Sequence, residues 1–180
     1  MNTDTISKLP KKDLVSLITI CRRDTRFFDG YWFINIENRL GFEEAMNIHA
    51  EMWRRFGKYQ GELIADAFTL SDDPIQALVK AVSMDPAWLF WDYTVEQVSN
   101  TAALFRVSSC VAQRARIKSS KGINPDCQKV DGAYFESFAH VIDPRIKVKC
   151  NFGPPDKYSD ELWCEWSFSI TPNFENGEFI

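Results

Sequence analysis

No stretch of about 18 consecutive apolar residues occurs in this 180-residue chain, so no membrane-spanning helix is expected. Met1 to Pro10 is polar and lacks an apolar core, so no secretory signal is expected there. The motifs G-x-S-x-G and H-E-x-x-H and a glycine-rich phosphate loop are all missing, which removes three common enzyme signatures. An excess of positive charge is missing too: 21 Lys and Arg stand against 25 Asp and Glu, a net charge of −4. Dedicated nucleic-acid binders are normally basic. The one short basic run, Arg114-Ala115-Arg116-Ile117-Lys118, reads as a solvated loop. Five cysteines occur without a C-x-x-C pair. An odd count outside a secretory context points to a reducing cytoplasm, with thiols free or bound to metal.

What is present is aromatic. Hydrophobic residues make up 45% and aromatic residues 14% of the chain. A chain of this length reads as one domain, 1–180, and buries about 70% of its unfolded surface. So many rings suit a core, and they also suit the walls of an apolar pocket.

The first half, residues 11–85, reads as helical, after a flexible N-terminal arm over 1–10. Leu14, Leu17, Ile18 and Cys21 recur at helical spacing from Lys11 to about Phe28. Asp29-Gly30 marks a break, and a second run from Tyr31 to Leu40 places Trp32, Phe33, Ile36 and Leu40 on one side. Gly41 suits the residue after a helix end. A longer helix, about 42–68, shows the stripe Ala45, Ile48, Met52, Phe56, Tyr59 and Leu63. Asp73-Pro74 opens the next helix as cap and first residue, and Asp85-Pro86 closes it.

Residues 86–170 read as the sheet half, followed by a tail over 171–180. Two alternating runs, 87–96 and 101–111, pair as a hairpin about Val98, with Tyr93 opposite Ala103 and Trp91 opposite Phe105. Ile117 to Pro125 reads as a loop and 131–142 as a short helix closed by Asp143-Pro144. A second hairpin over 145–170 folds about Lys157. It sets Ile146 against Phe168, Val148 against Trp166, Cys150 against Cys164, Phe152 against Leu162 and, on the outer face, Lys149 against Glu165. A slip by one residue would place apolar against polar throughout. The expected fold is α+β: N-terminal helices packed on one face of a four-stranded antiparallel sheet made of two hairpins, similar to an α/β plait.

Cys150 and Cys164 are the first candidates for chemistry, because directly opposed residues hold their Cβ atoms about 4.5–5.5 Å apart. That spacing fits two ligands of one metal, the floor of a pocket, or simple packing of two small side chains. Cys110 and Cys127 could join them, although a four-thiolate site usually shows two close pairs. His49 and His140 are the only imidazoles available as a general base for a cysteine nucleophile. A histidine at the edge of an apolar stripe is more often a boundary residue.

Two stretches carry a resemblance. One is Asp29-Gly30-Tyr31-Trp32-Phe33 with Gly41-Phe42 and Glu51-Met52-Trp53-Arg54-Arg55-Phe56-Gly57. The other is Phe138-Ala139-His140-Val141-Ile142-Asp143-Pro144-Arg145-Ile146 with Cys150, Pro154-Pro155-Asp156 and Cys164. Together they resemble an uncharacterised prokaryotic family similar to L-2-amino-thiazoline-4-carboxylic acid hydrolase-like proteins. That family often carries a second Cys shortly after the one at Cys150, where this sequence has Gly153, and the departure weakens a four-cysteine metal site. The last 40 or so residues are also similar to the 4-vinyl reductase small-molecule-binding domain, which implies a ligand cavity between helices and sheet.

The expectation is therefore a cytoplasmic small-molecule-binding domain, a sensor or accessory protein, with a hydrophobic or aromatic ligand. Trp32, Trp53, Trp91 and Phe105 would be the cavity walls and Cys150 with Cys164 its floor, between the sheet and the helices 31–40 and 42–68. The alternatives are a hydrolase of a thiazoline-like or amide C–N bond using a cysteine with His49 or His140, and a thiolate metal protein using Cys110, Cys127, Cys150 and Cys164. The sequence leaves any cofactor unspecified. Exposed aromatics would also suit a homodimer face; neither nucleic acid nor membrane is expected as a partner.

Overall fold

Helix dominates the first half of the chain and antiparallel sheet the second, as the change in hydrophobic period from about 3.6 to 2 residues requires. The computed structural model describes residues 3–89, 91–118, 126–156, 159 and 161–171. They form an α+β protein with six helices and four strands. The chain divides into two compact units, Met1–Ala45 and Met46–Ile180. None of the described helices is long and apolar enough to cross a membrane.

The first unit holds α1 (Thr3–Ser7), α2 (Lys11–Leu40) and the first residues of α3 (Phe42–Ala67). Residues 3–7 thus form a short helix where a flexible arm was expected. The break expected at Asp29-Gly30 is absent, and α2 runs unbroken for 30 residues. One glycine in a helix costs about 1 kcal/mol relative to alanine and does not by itself end it. Gly41 does end it: its φ is +86°, and its N–H donates to the Glu37 carbonyl. Phe33 and Phe42 then meet edge to face at 6.2 Å across the turn.

The second unit is built on the sheet, with strand order β1-β2-β4-β3, all antiparallel neighbours. The strands are β1 (Asp92–Ser99), β2 (Ala102–Ser109), β3 (Ile146–Phe152) and β4 (Cys164–Ile170). Helices α4 (Pro74–Met84) and α6 (Cys127–Ile142) cover its inner face. Asp73 caps α4 by accepting from the Gln76 N–H at 2.8 Å, with Pro74 at the first helical position.

Both hairpins keep the expected faces but not the expected register. In the first, Tyr93 pairs with Val107 and Val95 with Phe105, because the chain turns at Asn100-Thr101 rather than Val98. In the second, Ile146 pairs with Ile170, Val148 with Phe168, Lys149 with Ser167 and Cys150 with Trp166. Cys150 and Cys164 are therefore not directly opposed; Cys164 lies opposite Val107 of β2. Phe152 falls beside Glu165 at an irregularity in the ladder. The turn expected at Lys157 lies outside the described residues. Apart from Phe152, at the irregularity, these errors are shifts by an even number of residues. Such a shift leaves every side chain on its face, so alternation alone does not detect it.

The core is a ring-on-ring cluster. Trp88 and Phe135 stack with centroids 4.8 Å apart, and Phe105, Tyr134, Phe138, Trp166 and Phe168 surround them. Asp85 is fully buried here. Its carboxylate accepts the Tyr134 hydroxyl, the Ala87 N–H at 2.9 Å and the Gln60 amide at 3.4 Å, so the acid joins α3, α6 and the turn Pro86–Trp88. Burial pushes its carboxyl above the usual range.

Helix α3 presents a different face from the one its large apolar residues suggested. Tyr59 and Leu63 are exposed, whereas Met46, Ala50, Gly57, Gln60, Gly61 and Ile64 are buried. Small residues face inward because the α6 backbone comes close. A Cβ built at Gly57 would stand 2.4 Å from the Tyr134 carbonyl oxygen.

Candidate functional site

The four expected cavity walls are divided between the two units. Trp32 lies on α2 in the first unit. In the second unit Trp53 packs edge-on to Tyr134 at 5.3 Å, while Trp91 lies beside Trp88 and donates to the Ala87 carbonyl at 3.2 Å. Phe105 is fully buried between Trp88, Tyr93 and Phe135. These rings fill space with each other, which is the favoured use of offset and edge-to-face contacts. Helices α4 and α6 pack on the inner face of the sheet.

The cysteines behave differently. Cys110 directly follows β2 and precedes α5 (Val111–Lys118), Cys127 opens α6, Cys150 lies near the end of β3, and Cys164 opens β4. The antiparallel order of β2, β4 and β3 brings three of these points to one end of the sheet. Helix α6 delivers the fourth. Its first residue, Cys127, donates its N–H to the Pro154 carbonyl at 3.0 Å, just beyond β3. Gln128 adds bonds to the Gly153 carbonyl and the Asp156 carboxylate. A Cβ placed on Gly153 would lie 3.5 Å from the Cys150 sulfur and 3.1 Å from the Cys164 Cβ. Cys150 and Cys164 thus flank Gly153 without facing each other across the ladder.

Gln113 connects the other two thiols. Its backbone N–H points to the Cys110 sulfur at 3.4 Å, and its side-chain amide donates to the Cys127 sulfur at 3.1 Å. The first contact is an N-cap made by a thiol. Gln113 is fully buried, and its amide oxygen has no hydrogen-bond partner among the described residues. Such an orphan is uncommon in a folded interior.

Burial and carboxylates together hold all four thiols protonated. Burial pushes Cys110 and Cys150 up to about 12 and Cys127 and Cys164 well above the usual thiol range. After burial, the Asp131 carboxylate is the next cause raising each thiol. Asp131 sits one helical turn beyond Cys127 on α6. Asp156 and Asp126 also raise Cys150, while Arg114 favours the Cys110 thiolate. Cys110 and Cys164 also raise Cys127, and Cys110 and Cys150 raise Cys164, so the four thiols share one electrostatic environment. All five cysteines are free thiols. Among the described residues, no three His, Cys, Asp or Glu side chains already stand close enough together to hold a metal ion.

The His49 Nε2 atom accepts the Trp53 indole N–H at 2.6 Å, so the lone pair a base would use is engaged. His140 is exposed in the last turn of α6, about 20 Å along the helix from Cys127. A cysteine nucleophile also needs positive neighbours that lower its pKa, and here carboxylates dominate.

Gln113 and Asp131 are the site residues that sequence reasoning missed. Residues 114–118, read as a solvated loop, belong to α5, and 119–125 of the expected loop lie outside the described residues. Helix α6 begins at Cys127 rather than 131, with Asp126 accepting from the Lys129 N–H as cap. That Asp-x-x-Lys start and the four-residue spacing from Cys127 to Asp131 were the available signals.

One reactivity result follows directly. At pH 7, in chelator, alkylation should reach the exposed Cys21 first and leave the other four thiols at least tenfold slower, on the order expected for buried protonated thiols. Peptide mapping after timed iodoacetamide treatment measures this. Equal labelling of all five would contradict the environment described.

The chain belongs to the family of unknown function DUF6125, whose model matches residues 7–170 and so spans all four clustered cysteines. No curated protein matches the sequence.

Proposed function

We propose that the second unit is a thiolate metal-binding domain that takes one soft divalent cation, of the zinc class, at Cys110, Cys127, Cys150 and Cys164. The observation that carries this reading is the convergence of four thiols from separate elements under the carboxylate of Asp131. A negative field opposes a thiolate standing alone but favours a cation that displaces the thiol protons. Four sulfur donors match the ligand preference of zinc and related soft ions. The unpartnered Gln113 oxygen belongs to the same pocket of side chains and is suited to orienting a ligand or its solvent. Binding requires the thiols to draw inward, since three do not yet share one ligating point.

Cobalt serves as the spectroscopic probe. Titrating the full-length, chelator-stripped protein with cobalt(II) should give one equivalent bound, a sulfur-to-cobalt charge-transfer band and release of protons. Zinc should displace the cobalt. Cys127→Ser and Cys164→Ser should each abolish the band. Bound zinc should also protect the wild-type thiols from alkylation, a readout that needs no variant. Absence of uptake at micromolar metal, or full uptake by both serine variants, would remove the metal reading.

A further inference from the structure

The four clustered thiols are not held alike. The Gln113 backbone N–H points to the Cys110 sulfur at 3.4 Å, and the Gln113 side-chain amide donates to the Cys127 sulfur at 3.1 Å. The Trp166 indole N–H favours the Cys164 thiolate, and its nitrogen is buried with no other hydrogen-bond partner among the described residues. An N–H bonds a thiolate more strongly than a thiol, because the acceptor then carries the charge. Three of the sulfurs therefore have a donor in place for their deprotonated, metal-bound form. Cys150 has none among the described residues. The groups that act on it are the carboxylates of Asp131, Asp156 and Asp126.

The backbone makes the same distinction. Cys164 opens β4, which has a strand on each side. Cys110 and Cys127 are joined through Gln113, which is fully buried. Cys150 lies on the edge strand β3, at the irregularity between Cys150 and Phe152. Irregular edge positions break the ladder at little loss, and bulges gather beside functional sites. Cys110 and Cys164 are buried, whereas Cys150 is partly exposed. Cys127 shares that partial exposure but keeps the Gln113 donor.

We infer that Cys150 is the exchangeable ligand of the metal site, and that a small neutral thiol enters in its place when the metal is loaded or removed. This rests on the thiolate metal reading above. The three donor-held sulfurs keep the ion while the fourth position opens. A soft ion that gives up one sulfur is best satisfied by another, which selects a thiol over an amine or a carboxylate. The three carboxylates repel an anion, so the thiol arrives protonated. One metal–sulfur bond breaks and one forms, and the proton of the incoming thiol passes to the Cys150 sulfur. Nothing is oxidised or reduced, and the charge of the site is unchanged.

Cobalt(II) uptake by the full-length protein tests this. Cys150→Ser should still bind one cobalt, with the sulfur-to-cobalt band at about three-quarters of the wild-type intensity, since three of the four sulfurs remain. Added β-mercaptoethanol should restore the missing intensity in Cys150→Ser and should not bring back the band in Cys127→Ser or Cys164→Ser. A second measurement needs no variant. The rate at which wild-type protein gives up cobalt to excess EDTA should double with each doubling of β-mercaptoethanol, and ethanol should leave it unchanged. A wild type that binds no cobalt removes the metal reading and this inference with it. A wild type that binds cobalt, beside a Cys150→Ser variant that loses it as fully as Cys164→Ser, overturns this inference alone. So does a Cys150→Ser band that added thiol leaves unchanged, or a transfer rate independent of thiol.

Discussion

Raising the pH of the chelator-treated protein from 9 to 12 is expected to unfold its second unit. Burial and Asp131 hold the Cys110 thiol up to about 12, against an ordinary value of 9.0, and the other three clustered thiols are raised as well. The buried Tyr134 hydroxyl is raised in the same direction by burial and by Asp85. A group whose pKa is higher in the folded state binds its proton more tightly there. Its contribution to stability is complete below the unfolded value and is lost as the pH climbs through the folded one. The displacement at the buried Cys110 alone is worth about 4 kcal/mol, and a domain of this size has only about 5–15 kcal/mol to lose. Tryptophan fluorescence and near-ultraviolet circular dichroism through an alkaline titration should therefore show one cooperative transition. Cys110→Ala removes one titrating group and should move the transition to higher pH, despite a packing loss of about 1 kcal/mol at neutrality. An unchanged or lowered midpoint in that variant would show that the thiols are not held as described.

Gly57→Ala is expected to destabilise the second unit by about 2–3 kcal/mol, a large effect for one methyl group. The added Cβ meets the Tyr134 carbonyl oxygen at 2.4 Å, and that oxygen is part of the α6 backbone. It cannot rotate away, so α3 and α6 must separate, loosening Trp53 and Phe56 from the Tyr134 ring. The gain in helix propensity, about 1 kcal/mol, offsets only part of this. Gly61→Ala should cost less, about 1 kcal/mol, because its closest contact at 3.0 Å is a side-chain atom of Val141, with the Phe138 carbonyl at 3.2 Å. Urea unfolding of both variants at pH 7 gives the ranking. Equal stability of Gly57→Ala and wild type would mean the helices do not cross at this point.

The glycine pair also shows where reading the chain failed and why. The stripe of large apolar residues on α3 includes Tyr59 and Leu63, which are exposed. The buried face instead includes Gly57 and Gly61, whose contribution lies in what they lack. Hydrophobic periodicity reports side chains that seek burial; it is silent about backbones that need to approach. Gly30 is the converse case, where a glycine suggested a break that a long helix simply absorbs.

The aromatic residues were legible as apolar material; that Trp88, Phe105, Tyr134 and Phe135 pack on one another was not. Rings that could line a pocket can equally fill it, and nothing in the order of residues says which. Asp85 was legible as a helix terminator. Its burial under the Tyr134 hydroxyl was not, because α6 reaches it from 49 residues away in sequence.

Much local structure is determined by the sequence alone. The periods of 3.6 and 2 set helices before strands, Asp73-Pro74 starts α4, Gly41 ends α2, and alternation assigns each strand residue of both hairpins to its face. These are near-neighbour effects of sterics and local hydrogen bonds. Only the tertiary structure decided the register and the company each cysteine keeps. A slide of two or four residues leaves every face intact, so turn geometry and pairing with a third strand had to settle that Cys150 meets Trp166 and Cys164 meets Val107. The gathering of Cys110 and Cys127 with them depends on where α5 and α6 begin relative to the sheet end. That is a sum of long-range contacts, to which spacing along the chain gives no measure.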